Sequence, residues 1–154
     1  MGRARASVGI EGVQASEAEA LWYDPHRWPV FVDGFGHVRR IDEGWPNQGA
    51  QSVWDSKPGG RGRVIETVVA YEARVGQTLN VEDERILGTQ RVSFTPHPEG
   101  VTVGLQLDYR LKSGGPFGPL VDFFFIRRAQ ADSLRRTLAR LRAELEAQRD
   151  EPGV

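Results

Sequence analysis

Residues 101–111 read VTVGLQLDYRL. Val101, Val103, Leu105, Leu107, Tyr109 and Leu111 fall on one side of an extended chain, and Thr102, Gly104, Gln106, Asp108 and Arg110 on the other. Successive side chains of a strand point to opposite faces, so this segment has one dry face and one wet face. Such a strand belongs to an antiparallel sheet, because parallel sheets are covered on both sides. The dry face then needs a second layer over it.

Five further segments precede this one at hairpin spacing: 37–43, 50–56, 63–74, 78–86 and 89–95. Turn-forming stretches such as GWPNQG, GGRG and TPHPEG separate them, as hairpins require. Another strand is expected over 4–13, with Val8 and Ile10 on one face. Ser16 followed by Glu19 has the form of a capping box and predicts a helix over 17–23, stopped before Pro25. HRWPVFV (26–32) predicts a second, very short helix, since Pro29 can open a helix but not sit inside one. From Pro119 to Gln148, Leu120, Phe124, Ala131, Leu134, Leu138, Leu141 and Leu145 recur at three, four and seven residues, which is one apolar stripe. Asp132–Arg136, Arg140–Glu144 and Arg142–Glu146 are spaced as i,i+4 ion pairs on the opposite side. Residues 148–154 read as a frayed tail. This helix is the only large cover available to the sheet. A twisted sheet curves away from a helix laid on it, and the gap between them is a natural ligand cavity.

Composition removes several functions. The 154 residues fit one domain. Cysteine is absent, which excludes disulfides, thiolate chemistry and cysteine-bearing zinc sites. Twenty basic residues against 21 acidic ones give no basic excess of the kind a nucleic-acid binder carries. No apolar run nears the roughly 20 residues of a membrane-crossing helix, and the first residues lack a signal-peptide core, so a cytoplasmic location is the default expectation. His26, His37 and His97 lie in three separate segments without ligand spacing, and no metal is expected. GGRGR (59–63) and SGGPFG (113–118) are glycine-rich but lack a phosphate-loop setting, so no nucleotide or other cofactor is expected. No GxSxG elbow occurs.

Alternation places Trp54 with Ser52 and Ser56, the inner face of that strand. Trp28, Phe31, Trp54, Tyr71, Val81 and Phe94 are candidates to line the cavity from the first half of the chain. Leu105, Leu107, Tyr109, Phe117, Leu120 and Phe124 are candidates from the second. The same residue types also build ordinary core. Asp83 shares a face with Leu79 and Val81, and Glu66 with Val64 and Val68. A carboxylate facing an apolar cavity could move protons, with Tyr71 or Tyr109 assisting. Against this, charged residues are seldom buried without partners, which favours bulged strands with both carboxylates in water. Phe123, Phe124, Phe125 and Ile126 are consecutive and cover all sides of a helix. Burial beneath the short helices is the favoured reading, then a dimer contact, then a lipid surface.

The order of elements now resembles a known family. A strand, two short helices bearing RWPVF, GRVIETVVAYE, a glycine-bearing hairpin before VTVGLQLDY, and a final helix opened by GGPFGPL look like the START-like (SRPBCC) superfamily, in particular its polyketide cyclase/dehydrase and lipid-transport branch. The resemblance spans nearly the whole chain. It implies an α+β helix-grip fold: a curved antiparallel sheet of about seven strands wrapped around a long C-terminal helix, with SGGPFG as the hinge that gates the cavity. It implies a small, mostly hydrophobic ligand bound by a monomer or homodimer, with membrane contact not favoured. Two alternatives stay open: a cyclase or dehydratase using a cavity carboxylate, and a lipid or quinone carrier docking through residues 123–126. A solidly filled interior, with no pocket above about 300 Å³, would sink the binding reading.

Overall fold

The alternating segments form a seven-stranded sheet: β1 (Gly2–Glu11), β2 (Phe35–Ile41), β3 (Gln51–Ser56), β4 (Arg63–Glu72), β5 (Gly76–Glu82), β6 (Ile86–His97) and β7 (Gly100–Leu111). Its order is β1-β7-β6-β5-β4-β3-β2, and every neighbouring pair is antiparallel. Two short helices, α1 (Ala15–Trp22) and α2 (Trp28–Phe31), follow β1, and α3 (Pro119–Arg149) closes the chain. This is the helix-grip arrangement. The computed structural model describes residues 2–112 and 119–152, and side chains over 2–112 and 125–152. SGGPFG and the side chains of Phe117, Leu120, Phe123 and Phe124 lie outside the described residues.

The most regularly alternating segment is the best-paired strand. β7 runs in unbroken register with β1, from Gly2↔Tyr109 to Glu11↔Gly100, and with β6, from Ile86↔Leu111 to His97↔Gly100. Its inward residues Val101, Val103, Leu105, Leu107 and Tyr109 are all buried. Gly100 is required here, because a Cβ would collide with the carbonyl oxygen of Ile10 on β1. The α3 stripe meets this face with Leu134, Leu138, Leu141 and Leu145, each buried and each worth about 1.5–3 kcal/mol. At its far end Arg149 Nη1 donates to the carbonyl of Glu11 at 2.6 Å, so α3 is fastened along β1.

The two ends of the sheet are treated differently. β1 is flanked by α3. β2 forms the other edge, and its pairing with β3 slips twice, between Phe35 and His37 and between Val38 and Arg40.

Three local expectations are corrected. The start of α1 is capped by Gln14, not Ser16: Glu17 Oε1 accepts from the Gln14 backbone N–H at 3.1 Å. Glu19 instead reaches the backbone N–H of Arg74. On α3 only Arg142–Glu146 forms as spaced, at 2.9 Å. Arg136 and Arg140 turn to Asp33, at 3.0 and 3.2 Å, Asp132 pairs with Arg135, and Glu144 pairs with Arg27. Partners across the fold displace partners along the helix. Lastly, burial beneath the short helices fails for Phe125, which is 69% exposed, while Ile126 is half-buried against the core.

A cavity between the sheet and the C-terminal helix

The inner face of the sheet, α1, α2 and α3 enclose a cavity. The sheet supplies Trp54, Glu66, Gln77, Leu79, Gln90, Leu105 and Leu107. The short helices and the connection after them supply Trp22, Trp28, Phe31, Val32 and Asp33, and α3 supplies Gln130, Ser133, Leu134 and Thr137. Trp45 and Arg61 enter from the loops on either side of β3. The volume is about 60 Å³. That is room for about four to six waters, well short of the roughly 300 Å³ that the ligand-cavity expectation asked for; the interior is largely filled, though not solid. In this conformation the cavity is smaller than the roughly 150 Å³ that takes a benzene ring, so a ring enters only as the walls part.

Along its apolar side runs a row of rings in contact, all of them lining residues except Phe35. Trp45 meets Trp28 edge to face at 5.6 Å, Trp28 meets Phe35 at 6.2 Å, and Phe35 meets Trp54 at 5.1 Å, all within the range of favourable aromatic pairing. Trp22 stacks on Phe31 at 5.7 Å. Three of the four indole N–H groups are already used. Trp28 Nε1 donates to the carbonyl of Trp22, Trp45 Nε1 to the carbonyl of Tyr23, and Trp54 Nε1 to Glu66. These rings therefore offer the cavity their faces.

The polar wall differs from expectation. Glu66 and Asp83 are both buried, at 8% and 3% exposure, so the expected turn of both toward water does not occur. β4 does bulge, but between Val68 and Ala70, beyond Glu66. Each carboxylate has found its donors. Glu66 Oε1 accepts from Ser52 Oγ at 2.8 Å and from Trp54 Nε1 at 3.1 Å. Asp83 Oδ1 accepts from the backbone N–H groups of Arg85 and Ile86, and Oδ2 from Arg61 Nε at 2.8 Å. Of the two, only Glu66 borders the cavity; Asp83 ties the β5–β6 turn to Arg61. The Arg61 guanidinium in turn lies 5.4 Å from the centre of the Trp54 ring, a cation–π distance.

Of the residues singled out in the sequence, the structure gathers Trp28, Phe31, Trp54, Glu66, Leu105 and Leu107 on this wall. Tyr71, Val81, Phe94 and Tyr109 pack elsewhere. Tyr71 and Phe94 surround Tyr23, at 5.4 and 6.0 Å. Burial pushes the hydroxyls of Tyr23, Tyr71 and Tyr109 above the ordinary phenol value. Sequence reasoning missed Trp22, Trp45, Arg61, Gln77 and Gln90. Alternation with Leu79 and Val81 would have found Gln77; nothing local marks a loop tryptophan or a loop arginine as inward.

At the α3 side, Asp33 accepts both guanidinium hydrogen bonds of Arg136 at 3.0 Å, and its backbone N–H donates to Thr137 Oγ1 at 3.0 Å. Arg136 holds the Asp33 carboxyl below its ordinary value. This cluster fastens the connection after α2 to the helix at the cavity rim. Among the described residues no helix is long and apolar enough to cross a membrane.

Comparison with known proteins agrees with this architecture. The family described as polyketide cyclase / dehydrase and lipid transport matches residues 1–146. No curated protein sequence matches. Among solved structures, a START superfamily protein from Mycobacterium smegmatis superposes with a TM-score of 0.74 at 17% identity, over 96% of this chain and 99% of that one. The di-domain ARO/CYC StfQ of the steffimycin biosynthetic pathway gives 0.75 at 16%, over 95% of this chain and 51% of that one. A protein from Thermus thermophilus gives 0.74 at 18%, over 95% of this chain and 98% of that one. At these identities the structures speak for the fold, and the family match speaks for descent: the chain belongs to the polyketide cyclase / dehydrase and lipid transport family of START-like, helix-grip proteins.

Proposed function

We propose that the chain binds a small, mostly hydrophobic ligand between the sheet and α3, the walls parting to admit it. The family and fold support a hydrophobic-ligand-binding domain. The observation that carries the reading is the convergence of Trp22, Trp28, Trp45 and Trp54 on one enclosed space that they leave unfilled. Pockets for small molecules combine such apolar walls with a few placed polar groups. Titration with single-ring aromatics, followed by tryptophan fluorescence and native mass spectrometry, tests it. Saturable quenching with a one-to-one complex is expected; no response from any ring compound would remove the proposal.

Glu66 favours a second reading, an enzyme of cyclase or dehydratase type. It is an acid on the cavity wall held in place by Ser52 and Trp54, as a positioned proton carrier must be. Asp83 is committed to Arg61 and two backbone N–H groups, and Tyr71 and Tyr109 do not line the cavity, so Glu66 would act without them. In that case Glu66→Gln would keep binding a ligand that the parent turns over and lose the turnover. Equal turnover by both proteins would leave only binding.

A further inference from the structure

Two side chains that line the cavity each carry a fully enclosed polar atom with no hydrogen-bond partner among the described residues: Arg61 Nη2, a donor, and Gln77 Oε1, an acceptor. Buried polar groups are normally paired, and leaving one unpaired is costly. The orientation of Gln77 is fixed, because its Nε2 donates to the carbonyl of Pro46 at 3.0 Å; the amide oxygen therefore cannot exchange places with the nitrogen. The side chain is only 4% exposed. Arg61 is fixed too, by Asp83 through Nε and by the Trp54 face. The two reach the cavity from different segments: Gln77 starts the inward row of β5, and Arg61 comes from the loop between β3 and β4, held by the carboxylate that follows β5.

We infer that Gln77 and Arg61 are the specificity-determining residues of this cavity, Gln77 Oε1 taking a hydroxyl or N–H donor of the ligand and Arg61 Nη2 taking a neutral oxygen acceptor such as a carbonyl. The inference rests on the ligand-binding reading and names the chemistry of that ligand. The acceptor is neutral because Asp83 already balances the guanidinium charge and Glu66 places a further carboxylate on the same wall. An anionic ligand would face a net negative surface.

The test compares ethylbenzene, 4-ethylphenol, acetophenone and benzoate on the parent protein, Gln77→Leu and Arg61→Lys, by fluorescence titration and by the indole N–H resonances. Lysine at position 61 keeps an ammonium for Asp83 and removes the second guanidinium nitrogen. On the parent, 4-ethylphenol and acetophenone are each expected to bind about fivefold tighter than ethylbenzene, and benzoate weaker than acetophenone. Gln77→Leu should erase the phenol's advantage alone, and Arg61→Lys the ketone's alone. The ranking on the parent needs no variant to fold. If polar and apolar probes bind the parent alike, or each variant weakens all four alike, water fills both positions and the assignment is overturned while the cavity stands. If ethylbenzene and the others all fail to bind, the cavity reading falls and this one with it.

Discussion

Glu66 owes its place to two donors. A carboxylate at 8% exposure is tolerated in an apolar wall only when its oxygens are paired, and both donors here converge on Oε1. Glu66→Ala would strand Ser52 Oγ and Trp54 Nε1, and urea unfolding should show a loss of about 2–4 kcal/mol. Glu66→Gln keeps a carbonyl oxygen for both and should stay within about 1 kcal/mol of the parent. A Gln variant as weak as the Ala variant would mean that charge, not acceptance, holds the site together. Asp83→Ala should cost at least as much, about 2–4 kcal/mol, because it unpairs the Arg61 guanidinium, whose side chain is 25% exposed, and frees two backbone N–H groups. The inward direction of Glu66 and Asp83 was legible from alternation with Val64, Val68, Leu79 and Val81. Their partners were not. Ser52 faces Glu66 across the β3–β4 register, and Arg61 arrives from a glycine-rich loop whose path no periodicity encodes.

Among the elements, α3 carries the largest share of the cover. Leu141 is fully buried in its stripe, and Leu141→Ala should lower stability by about 2–5 kcal/mol through lost transfer energy and a new void. The Asp33 cluster at the cavity rim adds a pH-dependent fastening. Its carboxyl is depressed by Arg136, so its contribution is complete above the unfolded carboxylate value of about 4 and is lost as pH falls through the lower folded value. Between about pH 5 and pH 3 the parent should therefore lose more unfolding free energy than Asp33→Asn does. Equal losses would show that Asp33 contributes nothing. The strands and the stripe were legible because they are periodic, and a period needs no knowledge of the partner. The caps and ion pairs were misplaced because each is a competition. Gln14 took the cap from Ser16, and Asp33 drew Arg136 and Arg140 away from their own helix.

In the whole molecule, the gap between a curved sheet and its helix followed from sheet twist, but its size did not. Trp22 and Trp45, neither marked by any local pattern, fill much of what curvature opens, and about 60 Å³ remains. Phe125 points away from this interior. Phe125→Asp is expected to leave the unfolding free energy within about 0.5 kcal/mol of the parent, as for a surface position. A larger loss would mean that another surface covers the ring, and sedimentation of parent and variant would then reveal a second copy. The slipped β2 edge has a further consequence. An unpaired strand is a template on which other chains can add, and this sheet has an open side opposite α3. Two register breaks within seven residues, with His37, Arg39 and Arg40 between and beside them, deprive that side of a straight run of matching donors and acceptors. Fibril seeds are expected to find no purchase there, and a concentrated solution seeded with fibrils should show no growth by strand addition when followed with a fibril-binding dye.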